Sequence, residues 1–81
     1  MLRADEVAKI IEDMYAGEIT VTEDTELLDS GILDSLGMIE LLERLEDKGY
    51  TVQPTRAEKQ DFSDPARIAE LANRQNENGF N

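Results

Sequence analysis

The chain has 81 residues, with 19 acidic against eight basic side chains and neither cysteine nor histidine. That length accommodates one small domain around one core. The missing cysteine excludes a disulfide framework or thiolate metal site, and the missing histidine removes the usual general base and the commonest metal ligand, so neither catalysis nor a metal centre is expected of this chain alone. A formal net charge of −11 repels nucleic acid and anionic membranes and calls for partners with basic patches; the apolar runs fall short of a membrane span, and the N-terminus lacks the layout of a secretory signal, so a soluble, cytoplasmic protein is expected.

From Arg3 to Ala16 the apolar residues Val7, Ile10, Ile11 and Met14 follow the i, i+3, i+4, i+7 rule, which predicts an amphipathic helix. Gly17 stands where such a helix would stop, at a C′ position that favours a left-handed backbone. Glu18 to Asp34 carry no sustained period, and a connection this long in a small domain is usually functional. Leu27, Leu28, Ile32 and Leu33 are expected to pin it to the core, with Asp29, Ser30 and Gly31 forming a turn.

A second helix is predicted from about Ser35 to Lys48, ending near Gly49, with Asp34 as N-cap. "YTVQP" then reads as an extended connection closed by Pro54, followed by a short helical turn within Thr55 to Gln60. The last helix opens with Asp64 as N-cap and Pro65 at its first position, Phe62 packing back on that turn, and buries Ile68, Leu71 and Ala72. The polar run "NRQNENGFN" is expected to fray, leaving a domain of residues 1–76 and a tail of 77–81. The whole predicts an all-α fold, three main helices and a short one around a single core. Because that core consumes most apolar positions, a monomer is expected.

The second helix holds the most information. Steps of 100° per residue put Met38, Leu41, Leu42 and Leu45 on one face, the buried one, and Leu36, Ile39, Glu40, Glu43, Glu46 and Asp47 on the other. Two aliphatic residues among four carboxylates, with Ser35 at the edge, suit a binding face. Taken singly these features have plainer readings: a solvated acidic helix, ordinary exposed aliphatics, a serine that caps a helix. A nucleophilic serine hydrolase does not fit, since there is no base and no Gly-x-Ser-x-Gly elbow. A calcium loop with Gly31 sixth would put Glu26, Leu28 and Gly37 at its first, third and twelfth positions, the wrong oxygen pattern.

Leu33-Asp34-Ser35-Leu36, followed by "GMIELLERLE", resembles the phosphopantetheine attachment motif of carrier proteins, where an Asp-Ser-Leu tripeptide opens the second of four helices. The similarity runs over nearly the whole chain. It is greatest to the discrete D-alanyl carrier proteins, through Pro54 and Thr55 after the second helix, Phe62 in the next loop and Asp64-Pro65 at the last helix; at Leu36 those carriers often have phenylalanine. The resemblance implies a small four-helix bundle of acyl-carrier-protein type. It also implies a non-catalytic carrier bearing 4′-phosphopantetheine covalently on Ser35, beside Asp34. A phosphopantetheinyl transferase, to which the Mg²⁺ belongs, would attach the arm; an adenylating ligase would load an aminoacyl or similar short group as a thioester, and a downstream acyltransferase would collect it. Leu36, Ile39, Glu40, Glu43 and Asp47 would meet these partners. An acyl carrier for fatty-acid or polyketide chains and an acidic helical interaction module without a prosthetic group are the alternatives.

Overall fold

The computed structural model describes residues 1–77. Three α-helices, α1 (Ala4–Met14), α2 (Ser35–Asp47) and α3 (Pro65–Glu77), are joined by a long first connection and by two short 3-10 turns, Pro54–Arg56 and Lys59–Phe62. There is no β-strand among the described residues. The expected short third helix is thus two separate 3-10 turns, broken where Ala57 and Glu58 take extended backbone angles.

Helix α1 packs against both α3 and α2, and the second 3-10 turn packs against α3. The predicted stripes are buried: Val7, Ile10 and Ile11 from α1, Leu41 and Leu45 from α2, and Ile68, Leu71 and Ala72 from α3. Met14, Met38 and Leu42 are partly buried against the same cluster. Phe62 lies in the core as expected, joined by Leu2, Val21, Val52 and Ala69.

Side-chain caps open the helices, at Asp64 as expected and at Glu6 without a prior sign. Asp64 accepts a hydrogen bond from Arg67 N–H (2.8 Å) and so caps α3, while Glu6 accepts from Arg3 N–H (2.9 Å) at the start of α1. Helix α2 ends in a Schellman motif, with Tyr50 N–H on the Leu45 carbonyl (2.9 Å), Gly49 N–H on that of Glu46 (2.9 Å), and Gly49 at φ 97°.

Two ends depart from expectation. Helix α1 stops at Met14, so Ala16 rather than glycine takes the left-handed C′ position, at φ 56°, with Gly17 bonding back to the Glu12 carbonyl (2.9 Å). The run from Asn73, expected to fray, instead continues α3 to Glu77, and the tail expected over residues 78–81 lies outside the described residues. The reason is tertiary. Asn73 exchanges two hydrogen bonds with the Leu2 backbone (2.8 Å each), Asn76 two with Thr51 (3.1 and 3.0 Å), and Gln75 two with Gln53 (2.7 and 3.2 Å). Amide side chains thereby satisfy extended backbone at both the N-terminus and the α2–α3 connection.

A left-handed alanine costs on the order of 1 kcal/mol, which glycine largely avoids. Ala16→Gly is therefore expected to stabilise the fold by about 1 kcal/mol, read as a raised urea midpoint at unchanged slope; a lowered midpoint would refute the account of this helix end.

Candidate functional site

The start of α2 is set by one side chain. Asp34, with an extended backbone, accepts the Gly37 N–H on its carboxylate (2.8 Å), while its carbonyl accepts from Met38 N–H (2.8 Å). Ser35 is therefore the first residue of the helix, exposed, and its hydroxyl has no hydrogen bond among those of the described residues. The capping task that would explain a serine here belongs to its neighbour. The N–H groups of Ser35 and Leu36 have no intrahelical acceptor, as at any helix start, and lie at the positive end of the helix dipole.

Gly37 keeps this turn compact. A Cβ there would meet Asp34 Oδ1 at 3.3 Å, the Ile32 carbonyl oxygen at 3.6 Å and Leu33 Cδ1 at 3.6 Å, so any side chain crowds the cap it donates to.

The connection leading into the site is stitched down rather than loose. Val21 N–H reaches Glu12 Oε2 (2.9 Å), Leu27 N–H reaches the Ser63 carbonyl (2.8 Å), Ala66 N–H that of Glu23 (3.0 Å), and Leu33 N–H that of Leu27 (2.9 Å). Leu27 and Leu33 are buried, as predicted, and Leu28 and Ile32 pack partly against the core. The predicted turn is present, with Gly31 at φ 81° and the Ser30 hydroxyl bonded to the Glu26 carbonyl (2.7 Å). Just ahead of the site, the Tyr15 hydroxyl at the end of α1 donates to the carbonyl of Ile32. Sequence reasoning gave Tyr15 no role, and no local signal could have supplied one, since its acceptor is a backbone atom 17 residues away.

Along the outer side of α2, Leu36 is 78% and Ile39 57% exposed, which makes them, with Met1, the exposed large hydrophobic residues among those described. Glu43, Glu46 and Asp47 are also exposed, and together with Glu40 and Arg44 they line one shallow surface depression. The sequence-derived face is thus brought together on one side of the helix. One feature differs from a uniformly acidic face: Arg44 pairs with Glu40, Nη2 to Oε2 at 2.9 Å. The Glu(i)–Arg(i+4) spacing was the available signal.

These residues fit a phosphodiester-linked arm. An exposed hydroxyl with no structural duty stands at a helix start, with two N–H groups nearby that favour an anion. Asp34 adds negative charge beside such a phosphate, and its capping bond is what the structure gains in return.

Comparison with known proteins agrees with this geometry. The family model described as "Phosphopantetheine attachment site" matches residues 5–72. Among curated relatives, the D-alanyl carrier protein of Abiotrophia defectiva is 32% identical over 66 residues, covering 79% of this chain and 84% of the relative. That of Streptococcus mutans is 33% identical over 66 residues (80% and 84%), and D-alanyl carrier protein 2 of Lactiplantibacillus plantarum 34% over 63 (76% and 79%). No solved structure matches the chain.

Two substitutions probe how the site is held. Asp34→Ala is expected to cost about 1 kcal/mol of unfolding free energy, with Asp34→Ser close to wild type, because the helix loses an acceptor for one of its free N–H groups. Tyr15→Phe is expected to speed amide exchange at Leu33 and Asp34 while leaving that of the α3 core unchanged; equal exchange in both proteins would mean that the Tyr15 bond does not hold this segment.

Proposed function

The chain belongs to the family of proteins with a phosphopantetheine attachment site, and on that premise we propose that it is a discrete carrier whose arm is borne by the Ser35 hydroxyl. The observation that carries the assignment to Ser35 is the division of labour at the start of α2: Asp34 caps the helix, so the adjacent serine is exposed and unbonded. The protein is a non-catalytic carrier, and the domain we assign to it spans residues 1–76 in an acyl-carrier-type bundle.

A phosphopantetheinyl transferase attaches the arm. The Ser35 oxygen loses its proton to that enzyme and forms the new phosphoester bond as the nucleotide portion of coenzyme A leaves. This chain needs no base of its own, consistent with its lack of histidine. The arm supplies the thiol that holds the cargo as a thioester. An adenylating ligase loads an aminoacyl group, D-alanine being the first candidate because the relatives carry that name, and an acyltransferase takes it onward.

The remaining residues serve encounter. Leu36 and Ile39 give an apolar centre, and Glu40, Glu43 and Asp47 a charged rim. A carrier must leave each enzyme quickly, and acidic charge raises association rates without a large interface. A basic surface on each partner and a cytoplasmic setting follow from the same reading.

Intact mass before and after incubation with coenzyme A and a broad-specificity phosphopantetheinyl transferase tests the site: one phosphopantetheine adduct on wild type and none on Ser35→Ala. An adduct that persists in Ser35→Ala, or none on wild type, would reject it. For the face, Glu43→Lys is expected to lower loading efficiency roughly tenfold at low salt with the fold intact. Unchanged loading would remove Glu43 from the rim.

A further inference from the structure

Arg44 is the one basic residue of α2; it shares one surface depression with Glu40, Glu43, Glu46 and Asp47 and a second with Ile10, Asp13, Asp47 and Lys48. Its Nε (3.1 Å) and Nη2 (2.9 Å) both converge on Oε2 of Glu40. Yet 41% of its side chain remains exposed, and a guanidinium has five N–H donors, of which only Nε–H is donated to Glu40, so it can still bind a second carboxylate. No ion pair among the described residues involves Glu43, Glu46 or Asp47. From Ser35 onward an apolar centre at Leu36 and Ile39 therefore gives way to the compensated Glu40–Arg44 pair, with the unpaired acids Glu43, Glu46 and Asp47 interleaved with it and beyond it.

Resting on the carrier reading, we propose that Arg44 determines which loading enzyme the carrier accepts. The face fits a partner that presents a carboxylate to Arg44, between an apolar recess for Leu36 and Ile39 and basic side chains for Glu43, Glu46 and Asp47. A partner with an unbroken basic patch meets the guanidinium as a like charge and is disfavoured. Position separates this effect from arm attachment. Arg44 lies roughly 14 Å along the axis from Ser35, at 1.5 Å per residue. The transferase must close on the Ser35 hydroxyl itself, whereas the ligase works at the far end of the arm and can rest on the C-terminal half of α2.

The test compares wild type, Arg44→Gln and Arg44→Glu in two steps: arm attachment by a broad-specificity transferase, then loading by the adenylating ligase that charges the wild type. At low salt, loading kcat/KM is expected to fall about tenfold or more for Arg44→Glu, through KM, and less for Arg44→Gln. The deficits shrink at high ionic strength, as charge contacts do, and arm attachment stays within about twofold because the transferase docks nearer Ser35. Loading of Arg44→Glu as fast as wild type overturns the proposal. So does a parallel loss in both steps independent of salt, which marks Arg44 as merely structural. A wild-type chain that takes no arm is seen at the first step and overturns the carrier reading itself.

Discussion

The hydrogen bond from Gly37 N–H to the Asp34 carboxylate decides where α2 begins, and the rest of the site depends on that register. A helix turns 100° per residue, so once burial of Leu41 and Leu45 fixes the rotation of α2, the residue at which it begins fixes where Ser35 stands on it. With Asp34 as cap, Leu41 and Leu45 fall inward, Leu36 and Ile39 fall outward, and Ser35 stands at the first helical position. A cap contributes only about 1 kcal/mol. Its effect on the site is larger than its energy suggests, because it ends the preceding connection at Asp34 and leaves the Ser35 hydroxyl outside the capping hydrogen bonds.

The long first connection makes that register reproducible. Glu18 to Asp34 contain no helix or strand, so their backbone groups need partners from elsewhere. Glu12, Tyr15, Ser63 and Ala66 supply them, drawn from α1 and its end and from the start of α3. Buried Leu27 and Leu33 hold the segment from within. The serine thus projects from a rigid support although it follows a stretch without regular structure.

Local signals account for what the sequence made legible. The three apolar stripes, the caps Asp34 and Asp64, the Gly49 stop of α2 and the Asp29-Ser30-Gly31 turn all depend on residues within a few positions of each other, and all are present. What escaped was long-range or balanced. The extension of α3 depends on Asn73, Gln75 and Asn76 bonding backbone more than 20 residues away, and polar residues of this kind read locally as a tail. The region 54–62 is poised between helix and turn, and the Ala57–Glu58 break resolves it into two 3-10 turns. At the site, motif and period point to Ser35 and to the outer face of α2, whose residues the helix brings together on one side. Neither points to the Tyr15 tether, and Arg44 was passed over because a single base among acids looks like ordinary surface compensation.

The acidic charge acts on fold and function with opposite sign. A net charge of −11 on one small body opposes compaction through self-repulsion, and among the described residues it is relieved only by ion pairs at the surface. Salt screens that repulsion and so favours the folded chain, but it equally screens the attraction of α2 for a basic partner. Uniform acidity would gain encounter rate at the expense of discrimination, because any basic surface would do. The Glu40–Arg44 pair limits that exchange locally: it removes one uncompensated charge from the helix, which eases repulsion, and places a cation where only a partner with a matching carboxylate gains from it. The same i, i+4 contact thus serves the stability of α2 and the selectivity of the face it belongs to.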